Sequence, residues 1–170
     1  LEDAMVNPYI VGKYVYLRHP TEEDALRKWH EWFSDEETTK YLVDRYWPNC
    51  VENQLDFYRS LIGDKTNLVL SIATKIDNVH IGVLSLSNIN WVHRYADVVM
   101  VIGEKSYRKM PYTLEAHALQ HKVAFLRLNL LNLKSSNSVS NEGANAMQRA
   151  FKYKQVGFYK DLLCIDGKRD

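Results

Sequence analysis

The chain has 170 residues, 46% hydrophobic and 25% charged, enough apolar material for a core and enough charge for a surface that faces water. Its formal net charge of +1, with no block of like charges, offers no electrostatic footprint for nucleic acid, and no apolar run approaches the ~20 residues of a membrane-spanning helix. Cys50 and Cys164 stand far apart without CxxC spacing or His-rich neighbours, which argues against a disulfide framework or a zinc site and points to a reducing cytoplasm.

No charged-then-apolar leader opens the sequence, and residues 1–4 read as an appended remnant ahead of Met5. Tyr14 to Arg18 (YVYLR) is the first predicted strand. Thr21, three residues before Asp24, has the spacing of a capping box. The helix it opens carries Ala25, Leu26, Trp29, Trp32 and Phe33 at helical spacing. A second helix is predicted over 51–62, with Leu55, Tyr58 and Leu61 or Ile62 on one face and Gly63 as its C-cap. Strands follow at 67–75 and 80–89, joined by the hairpin signal Asp77-Asn78, and at 96–102. A long helix over 112–126 presents Leu114, Ala118, Leu119, Val123 and Leu126 as its apolar side. A buried strand is expected at 128–133, a helix at 141–154, a late strand at 157–165 and a hairpin turn at Asp166-Gly167. The order makes a mixed α/β architecture. No repeat or linker divides it, so residues 1–170 read as one domain. The sequence stops where a returning strand is expected, which leaves either a missing last strand or an open sheet edge.

Val98 to Ala116, VVMVIGEKSYRKMPYTLEA, passes from an apolar β-branched run through a basic loop into a helix. Lys105, Arg108 and Lys109 stand at the junction. Unpaired backbone N–H groups and the helix dipole make such a junction a site for an anion.

The order of these elements and several of their segments resemble the GNAT superfamily of acetyl-CoA-dependent N-acetyltransferases, closest to the branch of ribosomal-protein N-terminal and amino-sugar acetyltransferases. The segments are GKYVYLR, WHEWFSDEETTKYL, IGVLSLSNINW, VIGEKSYRK, NEGANAMQRAF and YKQVGF, which together span nearly the whole chain. The resemblance implies an acyl-CoA N-acyltransferase fold: a central, mostly antiparallel sheet with helices on both faces. It also implies acetyl-CoA as cosubstrate, no metal, and a small-molecule or peptide amine as acceptor.

In that family a loop reading Q/R-x-x-G-x-G/A cradles the coenzyme pyrophosphate. Aligned on it, the present chain reads Arg108, Lys109, Met110, Pro111, Tyr112, Thr113. Arg108 keeps the first position, while Pro111 and Thr113 replace small residues. Pro111 suits the start of a helix but removes a donor, and one charge-assisted bond is worth about 1.5–3 kcal/mol. Arg108 and Lys109 are expected to meet the phosphates directly. Met100, Val101 and Ile102 are expected to present backbone to the pantetheine arm, their side chains belonging to the core. The family's last helix pairs an Asn with a Tyr seven residues on. Tyr153 falls at the tyrosine position, and Asn141 and Asn145 are the nearby asparagines.

The implied reaction is attack of a neutral amine on the thioester. A carboxylate removes the amine's proton, backbone N–H groups stabilise the oxyanion, and an acid protonates the departing thiolate. Tyr153 is the candidate acid, its other reading being a tyrosine that packs the helix on the sheet. Asp97 is the candidate base, otherwise a solvated strand-end carboxylate. Asp35, Glu36 and Glu37, near Trp29, Trp32, Tyr41, Tyr46 and Trp47, either receive a cationic amine or form an amphipathic helix and a solvated acidic turn. Asn88, Asn90, Trp91 and His93 occupy the loop before the fourth strand. Three functions follow from these features: an N-acetyltransferase acting on a primary amine; a weakened binding module on the same scaffold, motivated by Pro111 and Thr113; and an interaction protein that forms a homodimer through an open sheet edge.

Overall fold

The computed structural model of the protein describes residues 5–170; the remnant expected at residues 1–4 lies outside them. Apolar residues on both faces of the strands build a six-stranded sheet in the order β1 (Pro8–Val11), β2 (Val15–Arg18), β3 (Leu68–Thr74), β4 (His80–Asn90), β5 (Tyr95–Ile102), β6 (Asn132–Lys134). The first four pairings are antiparallel and β5 with β6 is parallel. Asn78, in the left-handed conformation at φ 55°, lies in the expected β3–β4 hairpin turn.

Helices cover both faces. A run over residues 22–32 (α1), a short helix Glu36–Thr39 (α2) and Val51–Ser60 (α3) lie on one side. There Ala25, Trp29, Trp32 and Leu61 bury against Val69, Val83 and Val101. On the other side the helix Tyr112–Lys122 (α4) buries Ala116 and Leu119, and its C-terminal extension Val123–Arg127 buries Val123 and Ala124, all against Leu70, Ile72, Leu84 and Leu86. A final helix, Glu142–Ala150 (α5), follows β6. Thr21 caps α1 in a reciprocal box with Asp24, as its spacing predicts.

Asp24 does more than cap. Its carboxylate receives both Arg18 guanidinium nitrogens, at 2.5 and 2.7 Å, the Ser71 hydroxyl at 2.9 Å and the Thr21 N–H at 2.9 Å. His80 Nδ1 lies 3.2 Å away. Burial alone would raise its carboxyl, but these partners outweigh burial and hold it at about 2.

A second carboxylate fastens α4. Glu115 accepts the backbone N–H groups of Lys13, Tyr14 and Val15 at 2.6, 2.6 and 2.8 Å. The turn that presents them needs Gly12, because a Cβ there would lie 2.5 Å from the Glu115 carboxyl carbon.

Several expectations change. The helix predicted over 51–62 ends at Ser60 with Leu61, not Gly63, as its C-cap. A strand precedes the predicted first one, because Pro8–Val11 pairs back on β2. The strand expected at 128–133 begins only at Asn132. Leu128 and Leu130 spend their N–H groups on the Val123 and Ala124 carbonyls, so that segment terminates α4. The strand expected at 157–165 is absent from the sheet: Phe158 is 61% and Tyr159 74% exposed. The three residues of β6 offer too short an edge to recruit it, and only Cys164–Ile165 (β7) pairs, with Lys168–Arg169 (β8), across the predicted Asp166-Gly167 turn. Finally, the apolar side of α4 is rotated from the expected one. Leu114, Ala118 and Leu126 face solvent, whereas His117 and Gln120 are buried.

Candidate active site

The phase of the β4–β5 ladder decides what β5 offers to a ligand. Gly103 N–H donates to the Ile81 carbonyl at 2.9 Å. In an antiparallel ladder, hydrogen-bonded pairs recur at every second residue, so Val101 and Val99 also turn their backbone groups to Val83 and Ser85 of β4. Those of Val98, Met100 and Ile102 face the opposite edge. There β6 pairs only as far as Asp97 with Lys134. In a parallel ladder the flanking residues make the bonds, so that pair occupies the Val98 N–H; beyond it the two strands part, and the Met100 backbone groups face an open cleft. Of the three residues expected to present backbone, Met100 and Ile102 turn theirs to this edge, whereas Val101 is bound to β4 because a strand alternates. The Ile102 carbonyl already accepts from Arg108 Nε at 2.9 Å.

The loop beyond β5 leads into α4, whose first-turn N–H groups at Tyr112, Thr113 and Leu114 have no partner among the described residues. Pro111 is the N-cap, just outside the helix, so its missing donor lies ahead of that array. The basic residues divide. Arg108 also reaches Glu37 at 2.9 Å and the Thr38 hydroxyl at 2.5 Å, and Lys105 pairs with Asp35 at 3.2 Å and Glu37 at 2.7 Å. Hydrogen bonds from Thr38, with Lys105 behind them, hold the Asp35 carboxyl at about 2. These contacts tie the loop to α2 and use up Arg108, Asp35 and Glu37. Lys109, exposed, has no ion pair among the described residues.

Under the cleft, α4 presents His117, Gln120 and His121. Gln120 Nε2 donates to the Ser85 and Val99 carbonyls at 2.7 and 3.1 Å, fixing the helix to the sheet. His121 Nδ1 lies 2.7 Å from the His117 carbonyl and Nε2 lies 2.8 Å from the Tyr153 hydroxyl. Burial lowers the His121 pKa despite the backbone bond, and burial pushes the Tyr153 phenol up to about 12. His117, 4% exposed, has no partner on either ring nitrogen among the described residues, and burial with the neighbouring His121 lowers it to about 4.

His117 makes stability depend on pH. Its unfolded pKa is near 6.5, so between pH 6.5 and about 4 the unfolded chain binds the extra proton. Stability is therefore full above pH 6.5 and falls on acidification through that window by roughly 3 kcal/mol, from 1.36 kcal/mol per unit. Urea unfolding at pH 7 and pH 4.5 checks this, with a His117→Leu variant expected to lose that part of the slope.

On the opposite face lies a cavity of about 400 Å³. Trp29, Phe33, Trp47 and Phe57 form its walls and Val83 and Val99 its floor. The Asp44 carboxylate at its rim has no ion pair or side-chain hydrogen bond among the described residues. Strand alternation turns Asp97 toward this same face, at the last β5–β6 pair. Asp97 accepts from Asn88 Nδ2 at 2.9 Å and pairs with Lys134 at 3.3 Å. Around it, Trp91 Nε1 donates to the Lys65 carbonyl, and the Asn90 side chain accepts the His93 N–H.

The asparagines of α5 do local work. Asn141 caps the helix by accepting the Ala144 N–H at 3.1 Å, and Asn145 donates to the Ser138 and Val139 carbonyls at 3.0 and 3.2 Å. Tyr153 is thus brought to α4 and Asp97 to the cleft, while the two asparagines remain apart from both in their bonding. Sequence reasoning missed His121, Gln120 and Glu115. The available signal was two histidines spaced i, i+4 on the helix that follows the basic loop.

The family described as Acetyltransferase (GNAT) domain matches residues 15–153. No curated protein matches the sequence significantly. Among solved structures, the spermidine N-acetyltransferase from Vibrio cholerae in complex with CoA and spermine superimposes with a TM-score of 0.83 at 19% identity, covering 91% of this chain and 89% of that one. An acetyltransferase of the GNAT family from Bacillus anthracis gives 0.79 at 16% identity, with coverage of 94% and 92%. The dodecameric Vibrio cholerae spermidine N-acetyltransferase in an intermediate state gives 0.75 at 18%, with coverage of 91% and 88%. At these identities the likeness to solved structures shows the fold.

Proposed function

The chain belongs to the GNAT acetyltransferase family, and from that premise we propose that it transfers an acetyl group from acetyl-CoA to a primary amine. The observation that carries the proposal is the parting of β5 and β6. It leaves the backbone groups of Met100 open between the start of α4 on one face and the aromatic cavity on the other.

The residues present fit the cosubstrate. The N–H groups of Tyr112, Thr113 and Leu114, with Lys109 beside them, suit the pyrophosphate. Arg108 and Lys105 hold the loop in place through Glu37, Asp35 and Thr38. Acetyl-CoA supplies an activated acyl group and a thiolate leaving group. The Met100 N–H, on the open edge, is placed to stabilise the oxyanion. Asp97, at the point of divergence, takes the ammonium proton directly or through a water, and Lys134 and Asn88 orient it. Tyr153 protonates the sulfur from the α4 side. The amine enters through the aromatic cavity, where ring faces and the Asp44 carboxylate attract a cation.

Similar structures that act on spermidine support an amine acceptor, and a dodecameric one supports assembly with further copies. Two unpaired cysteines fit a cytoplasmic setting. Acetyl-CoA at millimolar concentration is expected to raise the unfolding temperature, since a ligand of the native state stabilises it. Mass spectrometry is expected to find acetylated product from a panel of amines. No stabilisation and no product would overturn the proposal.

One observation favours the second reading, a binding module without turnover: Arg108, expected on the phosphates, is bound by Glu37, Thr38 and the Ile102 carbonyl. Stabilisation by acetyl-CoA without any acetylated amine is its signature.

A further inference from the structure

The His121 ring is held at both nitrogens, and its partners settle where its hydrogen lies. A carbonyl oxygen only accepts, so Nδ1, 2.7 Å from the His117 carbonyl, carries hydrogen and donates. In the neutral ring Nε2 is then a bare acceptor, and the Tyr153 hydroxyl at 2.8 Å donates to it. The Phe151 ring stacks on the imidazole at 4.8 Å and fixes its plane. As it stands, the only hydrogen of Tyr153 points at His121 and not at the cleft.

We infer that His121 is the proton source behind Tyr153: once the imidazole gains a proton at Nε2, that N–H donates to the tyrosine oxygen and frees the tyrosine hydrogen to turn to the departing sulfur. This inference rests on the acetyltransferase reading above. In the step, the C–S bond breaks and the sulfur keeps the electron pair. The sulfur takes the tyrosine proton as the oxygen takes the Nε2 proton. Imidazolium ends as imidazole, thiolate as thiol, and Tyr153 is unchanged. The imidazole is recharged by solvent between turnovers. Nδ1–H stays on the His117 carbonyl throughout, so the ring need not rotate.

The relay resolves a mismatch of acidity. A buried phenol near 12 is a poor donor to a thiolate whose acid lies near ~8.5, whereas an imidazolium is a good one. The titratable groups facing His121 are His117 on α4, 4.5 Å between ring centres, and Tyr153 after α5; Phe125 and Phe151 complete its surroundings. His121 acts through Tyr153 and is a positioning and proton-supplying residue.

The test compares kcat at saturating substrates from pH 5 to 9 for the unaltered protein, His121→Gln, Tyr153→Phe and the double variant. The unaltered protein is expected to show a limb that falls above the His121 pKa. His121→Gln should abolish that limb and lower kcat by roughly tenfold or more, leaving both KM values unchanged. In the Tyr153→Phe background it should change kcat less than twofold, since its route is gone. Persistence of the limb in His121→Gln, or losses that multiply in the double variant, would overturn the relay. A readout independent of turnover and of any variant's folding is the 15N spectrum of the histidines in the unaltered protein. It is expected to show His121 protonated at Nδ1 when neutral. Protonation at Nε2 would overturn the relay even in an active enzyme. An inactive protein with the Nδ1–H tautomer would refute the acetyltransferase reading and leave the hydrogen-bond chain standing.

Discussion

Tyr153→Phe is expected to lower kcat for acetyl transfer by about a hundredfold, the lower end of what a positioned acid contributes, with the KM for acetyl-CoA unchanged. The phenylalanine keeps the packing of Tyr153 against the α4-side core and removes one hydroxyl. That hydroxyl bonds His121 at 2.8 Å, and losing a bond of this kind costs about 1 kcal/mol of stability. Folding therefore survives, and the effect is read in the chemical step. Proton transfer from a phenol near 12 to a thiolate near ~8.5 is uphill by roughly 5 kcal/mol. That fits within the ~16 kcal/mol barrier of an ordinary turnover, and it explains why the group behind the tyrosine matters. Steady-state kinetics with a thiol-trapping reagent measures it. A kcat within threefold of the unaltered protein would mean that the thiolate leaves without this acid.

The largest loss of stability is expected from Asp24→Ala, about 3–5 kcal/mol. Arg18 is 6% exposed and would be left as a buried cation, with Ser71 and the Thr21 N–H also losing their acceptor. Total stabilities of such domains are about 5–15 kcal/mol, so much of the folded state's margin disappears. Urea denaturation at pH 7 reads the change in midpoint at constant slope. The paired substitution Arg18→Met with Asp24→Leu is expected to be far milder, because it removes the charge together with its partner. The carboxyl itself, depressed from 3.8 to about 2, contributes stability that is full above 3.8 and lost as pH falls toward 2.

Local chemistry made much of the fold legible. The capping box at Thr21, the hairpin turns at Asn78 and Asp166-Gly167, and the apolar strands at 67–75, 80–89 and 96–102 all carry their instructions within a few residues. What failed depended on distant partners. The segment 157–165 has the apolar content of a strand, but a strand also needs an edge to pair with, and β6, beside which the sheet ends, is only three residues long. The buried side of α4 was misread because His117 and Gln120 count as polar in any periodicity. The Ser85 and Val99 carbonyls make Gln120 interior, and the His121 and Phe151 rings cover His117.

The site divides in the same way. The anion-binding start of α4 and the positions of Tyr153 and Asp97 follow from the order of segments. That Arg108 is consumed by Glu37 and Thr38 does not, because those residues lie 71 and 70 positions away in the chain. Nor does the hydrogen on His121, which is set by one acceptor, the His117 carbonyl, and one donor, the Tyr153 hydroxyl 32 positions away in the chain.

Glu115 has a mechanical meaning. With three amides of the β1–β2 turn gripping one carboxylate of α4, the N-terminal hairpin and that helix behave as a single strut. Gln120 bonds the same helix to the Ser85 and Val99 carbonyls, so α4 is pinned to β4 and β5 as well as to the hairpin. The loop over residues 103–111 is held to α2 only by surface ion pairs and hydrogen bonds, of which water and salt weaken the ion pairs.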